Sequence, residues 1–301
     1  MSATELYQGT FAQLRVLFDD LLWDGLTMFI ARPKAGKSWF TLQLAICVAG
    51  GRPVEGIKAA ECGPVLYLAL EEPKARTMAR LRKIAAPGDW TADLRFVYDL
   101  LPLMGGGADQ LAALITILRP RLVVVDTLTA IIKGGGKRES DVFRSQYAEV
   151  SRLRKLAEEL KTAIVVVHHV RKGNSDGAIE SIAGTGGIAA AIDTVWALKR
   201  KPEGEATLDV LGREIEERTL ALRFEQEPFG WRVLGDDGLQ LLNGERREVL
   251  ALLREEGGLT PAQIAADLGK SRPAVRMLLK RMREDGQVEK HGNKYVDLSH
   301  S

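Results

Sequence analysis

The chain has 301 residues and a mass of 33.0 kDa, room for about two domains, each with its own core. With 46% hydrophobic and 27% charged residues it is globular, which excludes a disordered or collagen-like polymer. Forty-two Lys and Arg against 40 Asp and Glu leave a net charge of +2, which excludes a polybasic coat, so any contact with nucleic acid has to be local. Cys47 and Cys62 are the only cysteines, and no paired C-x-x-C accompanies the four histidines, so neither a disulfide framework nor a structural zinc site is expected. Residues 1–20 carry Glu5, Asp19 and Asp20 where a leader has a basic and then an apolar region, and no segment approaches about 18 uninterrupted apolar residues. A cytoplasmic protein without membrane contact is the expectation.

In chain order, apolar runs with β character fall at residues 26–31, 65–70, 94–98, 122–126, 163–169 and 194–198, between helical stretches. Runs without polar alternation, such as Val65-Leu66-Tyr67-Leu68 and Leu122-Val123-Val124-Val125, are those of strands buried on both faces. They predict an α/β domain with a mainly parallel sheet and helices on each side. From residue 194 onward, short and partly alternating runs at 194–200, 206–213, 219–225 and 230–234 predict an antiparallel extension of that sheet. The Gly-rich patches 105–107 and 134–136 read as loops, and the polar stretch from Gly235 to Gly238, followed by Asn243-Gly244, reads as the linker to a helical C-terminal unit. The expected domains are 1–238 and 239–301.

Directly after the first buried run comes Ala31-Arg32-Pro33-Lys34-Ala35-Gly36-Lys37-Ser38, leading through Trp39 into an apolar helical segment. Between strand and helix this is a phosphate-binding loop: successive backbone N–H groups and the helix N-terminus face phosphate oxygens. Gly36 permits close approach, Lys37 meets the β and γ phosphates, and the Ser38 hydroxyl ligates Mg²⁺. Ala31 stands where the usual pattern has Gly. Residues 32–39 are the candidate nucleotide contacts. The strand 122–126 ends in Asp126, the natural metal partner of Ser38. The strand 65–70 delivers Glu71 and Glu72, either of which is placed to orient or deprotonate a water at the C-terminal edge of a parallel sheet.

The succession of phosphate loop, Leu70-Glu71, Val124-Val125-Asp126 and Val167-His168-His169-Val170-Arg171 resembles the RecA/DnaB-type ATPases, most closely the RepA-like hexameric helicases of plasmids and phages, over roughly residues 20–234. The resemblance implies a RecA-like sheet, ATP and Mg²⁺ as cofactors, and Glu71 rather than Glu72 as the catalytic carboxylate. It makes His169 the γ-phosphate sensor, with His168 on the opposite face of the sheet. It also implies an Arg donated to the neighbouring subunit's site, for which Arg213 matches best and Arg200 and Arg218 compete, and hence a homo-oligomeric ring or filament. Family members line a central channel with the loops after the Asp strand and the sensor strand. The corresponding Lys133, Lys137 and Arg138, and Arg171 and Lys172, lie in Gly-containing stretches suited to non-specific contact with single-stranded DNA.

At the C-terminus, Thr260-Pro261-Ala262-Gln263 is a capping box with Pro at the first helical position. After a turn at Gly269, a second helix sets Val275, Leu278, Leu279 and Met282 on one side and Arg272, Arg276, Lys280 and Arg283 on another, and residues 288–296 read as a hairpin about Gly292-Asn293. This resembles a winged helix-turn-helix domain with Arg272, Arg276 and Lys280 facing duplex DNA. Across residues 259–298 eight basic side chains oppose five acidic ones, an excess of three. Together these features predict a Mg²⁺-ATP-dependent, DNA-acting ATPase, foremost a replicative helicase of the RepA-like kind. A RecA-like DNA-coating ATPase of recombination or repair, and a DNA-binding initiator or regulator that uses ATP as an assembly switch, are the alternatives.

Overall fold

The structure, a computed structural model, describes residues 2–9, 15–18, 21–50, 54–57, 59, 61–86, 89, 94–132, 139–169, 191–200, 205–213, 217–235, 238–284 and 286–298. A short helix α1 (Ala3–Gln8) and a two-stranded ribbon, β1 (Val16–Phe18) with β2 (Leu22–Trp23), precede a nine-stranded sheet. Its parallel part comprises β3 (Gly25–Ala31), β4 (Val65–Ala69), β5 (Leu94–Val97), β6 (Leu122–Asp126), β7 (Ala163–His169) and β8 (Thr194–Arg200). Three antiparallel strands extend it, β9 (Glu205–Gly212), β10 (Arg218–Gln226) and β11 (Phe229–Gly235), whereas the run 194–200, expected in that extension, is β8, which runs parallel to β3 and begins the antiparallel pairing only on its β9 side. The spatial order β11-β10-β9-β8-β3-β7-β6-β4-β5 places the strand that feeds the phosphate loop at the centre.

All residues of β3, β4 and β6 are buried, as uninterrupted apolar runs require when both sheet faces are covered. Helices α2 (Lys37–Gly50) and α3 (Lys74–Ile84) cover one face, in a core that includes Phe29, Phe40, Tyr67, Val165, Trp196 and Trp231. The other face packs on α4 (Gly107–Leu118), α5 (Leu128–Ile131) and α6 (Glu139–Leu160) through Leu111, Ile115, Leu128, Val150 and Leu153. The patch 105–107, expected as a loop, is instead the end of a 3-10 turn, Leu103–Gly105, running into α4. A Cβ on Gly107 would sit 1.8 Å from the Leu101 carbonyl oxygen, so that backbone approach requires glycine.

The C-terminal unit consists of α7 (Gly238–Glu256), α8 (Pro261–Asp267), α9 (Arg272–Glu284) and the hairpin β12 (Val288–His291) with β13 (Lys294–Asp297). The capping box forms as the sequence predicts, Thr260 and Gln263 each satisfying the other's backbone N–H. Val249, Leu253, Ile264, Val275, Leu279, Met282 and Val288 make its core. One expectation is corrected here: the stretch from Gly238 through Asn243-Gly244, read as linker, lies within α7. The apolar periodicity that continues into Val249, Leu250 and Leu253 outweighs a glycine penalty of about 1 kcal/mol. Among the described residues no helix is long and apolar enough to cross a membrane.

Candidate nucleotide site

The C-terminal ends of β3, β4, β6 and β7 converge on one edge of the sheet, because these neighbouring strands run in register: Ala31 lies opposite His169, and Ala69 opposite Asp126. The phosphate loop leaves β3 there. Lys34 and Gly36 take left-handed φ values of 64° and 105°, which curl the loop into the N-terminus of α2. Arg32, Pro33 and Lys34 are exposed, Ala35 is buried, and Ser38 and Trp39 are half-buried. Lys37, only 4% exposed, turns its Nζ back under the loop to the carbonyls of Ala31 (2.8 Å) and Arg32 (3.1 Å) and to Nδ1 of His169 (3.1 Å). Burial pulls its pKa down to about 8, against the opposing attraction of Asp126 and Glu71.

Asp126 ends β6 at 7% exposure. Burial raises its pKa, and hydrogen bonds from Ser38 and Tyr67 counter part of that rise. The Tyr67 hydroxyl donates to Asp126 Oδ2 at 3.1 Å and lies 3.0 Å from Thr41 Oγ1, which also reaches the Lys37 carbonyl at 3.2 Å. A hydroxyl chain therefore ties the first turn of α2 to the carboxylate. Sequence reasoning did not single out Tyr67 or Thr41; the available signal is a polar tip inside the apolar run of β4 and a hydroxyl four residues after the loop lysine.

Glu71 and Glu72 diverge. Thr127 donates its hydroxyl to Glu71 Oε1, and Glu71 Oε2 lies 3.7 Å from His169 Nε2 at the open edge. Glu72 turns to α3, where Arg80 (2.6 Å) and Thr77 (3.1 Å) hold it. His169 thus spans Lys37 and Glu71 with its two ring nitrogens, and burial together with Lys37 lowers its pKa while Glu71 opposes. His168 is paired with Ile30 on the other face of the sheet.

The remaining expected residues do not join this cluster within the chain. Arg213 follows β9 at the opposite sheet edge, its N–H bonded to the Asp193 carbonyl, and lines a cavity of about 1120 Å³ with Asp193, Arg154 and Arg15. Arg218 starts β10 opposite Val210, near that same end, whereas Arg200 ends β8 beside the loop, Nη1 3.5 Å from the Ala35 carbonyl. Arg272, Arg276 and Lys280 are exposed on α9. Lys133, Lys137, Arg138, Arg171 and Lys172 lie outside the described residues.

A phosphate loop on the central strand of a RecA-like sheet, with a buried aspartate and an exposed glutamate on the adjoining strand ends, defines a P-loop ATPase. Residues 2–175, more than half of the chain, match the family model described as AAA domain, and the chain belongs to that family. Residues 245–289 match the model described as winged helix-turn-helix DNA-binding. Among solved structures, one described as an ATPase domain superposes with a TM-score of 0.56 at 15% identity, over 70% of this chain and 85% of that one, a likeness of fold.

Proposed function

We propose that the chain is a Mg²⁺-ATP-dependent motor of the RepA-like replicative helicase kind, hydrolysing ATP between the subunits of a hexameric homo-oligomer and translocating on single-stranded DNA. The observation that carries this reading is the convergence of Lys37, Asp126, Glu71 and His169 on one strand edge. Lys37 neutralises the β and γ phosphates, exchanging its present carbonyl and imidazole partners for them. Among the described residues no cluster of three or more His, Cys, Asp or Glu forms a metal cage. Mg²⁺ is normally held by one or two protein oxygens plus substrate phosphates, so the Ser38 hydroxyl and the desolvated Asp126 carboxylate fit it. When bound, Mg²⁺ supplies charge neutralisation on the phosphates. Glu71, open to water and fixed by Thr127, orients the attacking water, and His169, which touches both Lys37 and Glu71, registers the γ-phosphate.

Arg213 sits at the sheet edge away from its own loop, the placement a head-to-tail assembly needs for donation to a neighbour. An arginine given in trans contributes about 10³ to 10⁵ in rate. Residues 1–238 form the ATPase domain and 239–301 the winged helix domain, whose Arg272, Arg276 and Lys280 meet duplex DNA, while Lys133, Lys137, Arg138, Arg171 and Lys172 contact the single strand. The winged helix match favours one second reading, a replication initiator that uses ATP as an assembly switch. Steady-state ATP hydrolysis with and without single-stranded DNA, with Lys37→Ala as control, separates the two. Stimulation lost in the variant supports the motor, Lys37-dependent hydrolysis indifferent to DNA supports the switch, and no Lys37-dependent hydrolysis under any condition removes the motor together with the catalytic roles of Glu71 and Arg213.

A further inference from the structure

The phosphate loop is held from a part of the chain that carries none of its motifs. Trp231 on β11, 1% exposed, donates its indole Nε1–H to the Gly36 carbonyl at 3.0 Å. Its backbone is pinned in turn to α2: the Trp231 N–H donates to Gln43 Oε1 at 2.7 Å, and Gln43 Nε2 donates to the Trp231 carbonyl at 3.0 Å. The ring packs directly on the loop, since a Cβ on Gly36 would lie 2.8 Å from Trp231 Cζ2. Arg200 completes the support, its guanidinium 5.1 Å above the Trp231 ring and 4.6 Å above Phe224, with Nη1 at the Ala35 carbonyl.

A phosphate loop works when its N–H groups face the anion, so its carbonyls must turn away and find donors elsewhere. The planar trans peptide links the two requirements: fixing the Gly36 carbonyl aims the Lys37 N–H the opposite way, and fixing the Ala35 carbonyl does the same for the Gly36 N–H. Gly36 already accepts the Phe40 N–H at 3.1 Å as the first bond of α2, and the indole N–H occupies its second lone pair. We infer that Trp231, locked by Gln43 and backed by Arg200, is a positioning residue that holds two loop amides toward the bound phosphates. This rests on the reading of the loop as a nucleotide site and adds to it a residue beyond the 2–175 segment matched by the AAA domain family.

The test is Mg²⁺-ADP binding by calorimetry on the full chain, comparing wild type with Trp231→Phe, Gln43→Met and Lys37→Ala, with circular dichroism on each. Losing one net hydrogen bond that orients the site weakens ADP about fivefold to tenfold in Trp231→Phe. Gln43→Met, which leaves the loop's own contacts in place, weakens it in the same direction by a smaller factor. In steady-state turnover KM rises by the same factor while kcat changes less. With 5-fluorotryptophan incorporated, the resonance that disappears in Trp231→Phe shifts when ADP saturates the wild type, which a merely space-filling ring does not predict. Unchanged ADP affinity in a folded Trp231→Phe, or an unmoved resonance, overturns the inference. If Trp231→Phe does not fold, Gln43→Met decides by the same criteria. A wild type that does not bind ADP at all overturns instead the nucleotide-site reading beneath it.

Discussion

Arg281 on α9 and Glu205 at the start of β9 form an ion pair between the winged helix and the sheet extension, with side chains 8% and 6% exposed. Glu205→Ala takes this carboxylate away from a buried guanidinium, which costs up to about 3–5 kcal/mol, whereas replacing both partners with apolar residues of similar volume is close to neutral. The neighbouring pairs provide an internal control. Glu245 on α7 meets Arg223 at 3.6 Å and Lys270 at 3.1 Å, but all three side chains are about a third exposed. Solvent screening therefore limits Glu245→Ala to about 1 kcal/mol. Urea unfolding of the full chain gives the comparison: Glu205→Ala lowers stability several times more than Glu245→Ala, and Glu205→Leu combined with Arg281→Met recovers most of the loss. Similar small losses at Glu205 and Glu245, or additive costs of Glu205→Ala and Arg281→Ala without coupling in a double-mutant cycle, would mean that burial does not strengthen the Arg281–Glu205 pair.

Four further outcomes follow from the site and the exposed helix. Glu71→Gln lowers kcat by about 10² to 10⁴ with ADP affinity unchanged, checked by turnover and calorimetry; equal losses in both mark Glu71 as a binding group instead. Tyr67→Phe takes one hydrogen bond from Asp126 and one from Thr41, lowers stability by about 1 kcal/mol and shifts the Mg²⁺ dependence of ADP affinity; unaltered Mg²⁺ titrations count against the hydroxyl chain. Burial, with a smaller contribution from His169, lowers the His168 pKa below its ordinary 6.5. Below that value the unfolded chain takes up a proton that the folded chain refuses, so stability falls as pH drops from 6.5 to the lowered folded value and then levels off. His168→Asn removes that part of the slope in denaturation midpoints measured from pH 7.5 to 5. Arg276→Ala and Lys280→Ala weaken duplex DNA binding across sequences and each reduce the salt slope by about 1, read by fluorescence anisotropy at several salt concentrations.

What the sequence makes legible is what local physics decides. The run Leu122-Val123-Val124-Val125 is a strand buried along its whole length, and Gly36-Lys37-Ser38 turns from a buried strand into the N-terminus of a helix, a geometry suited to an anion. The choice of Glu71 over Glu72 depends instead on which way each side chain leaves the end of β4, and that is set by Thr127 on one side and by Arg80 and Thr77 on the other. α7 is obscured by Gly238, Asn243 and Gly244, whose turn character hides an apolar helical period. The supports of the site are the least legible, because they join residues far apart: Trp231 to Gly36 across 195 positions and Arg281 to Glu205 across 76. In sequence, Trp231 is an ordinary core aromatic and Arg281 one more cation on a basic helix. That second resemblance changes how the charge of the winged helix is counted. Eight basic residues against five acidic ones in 259–298 include Arg281, buried on Glu205, and Lys270, paired with Glu245. The exposed positive character of α9 therefore rests on Arg272, Arg276, Lys280 and Arg283, a single face that docking through Arg281 leaves turned toward solvent.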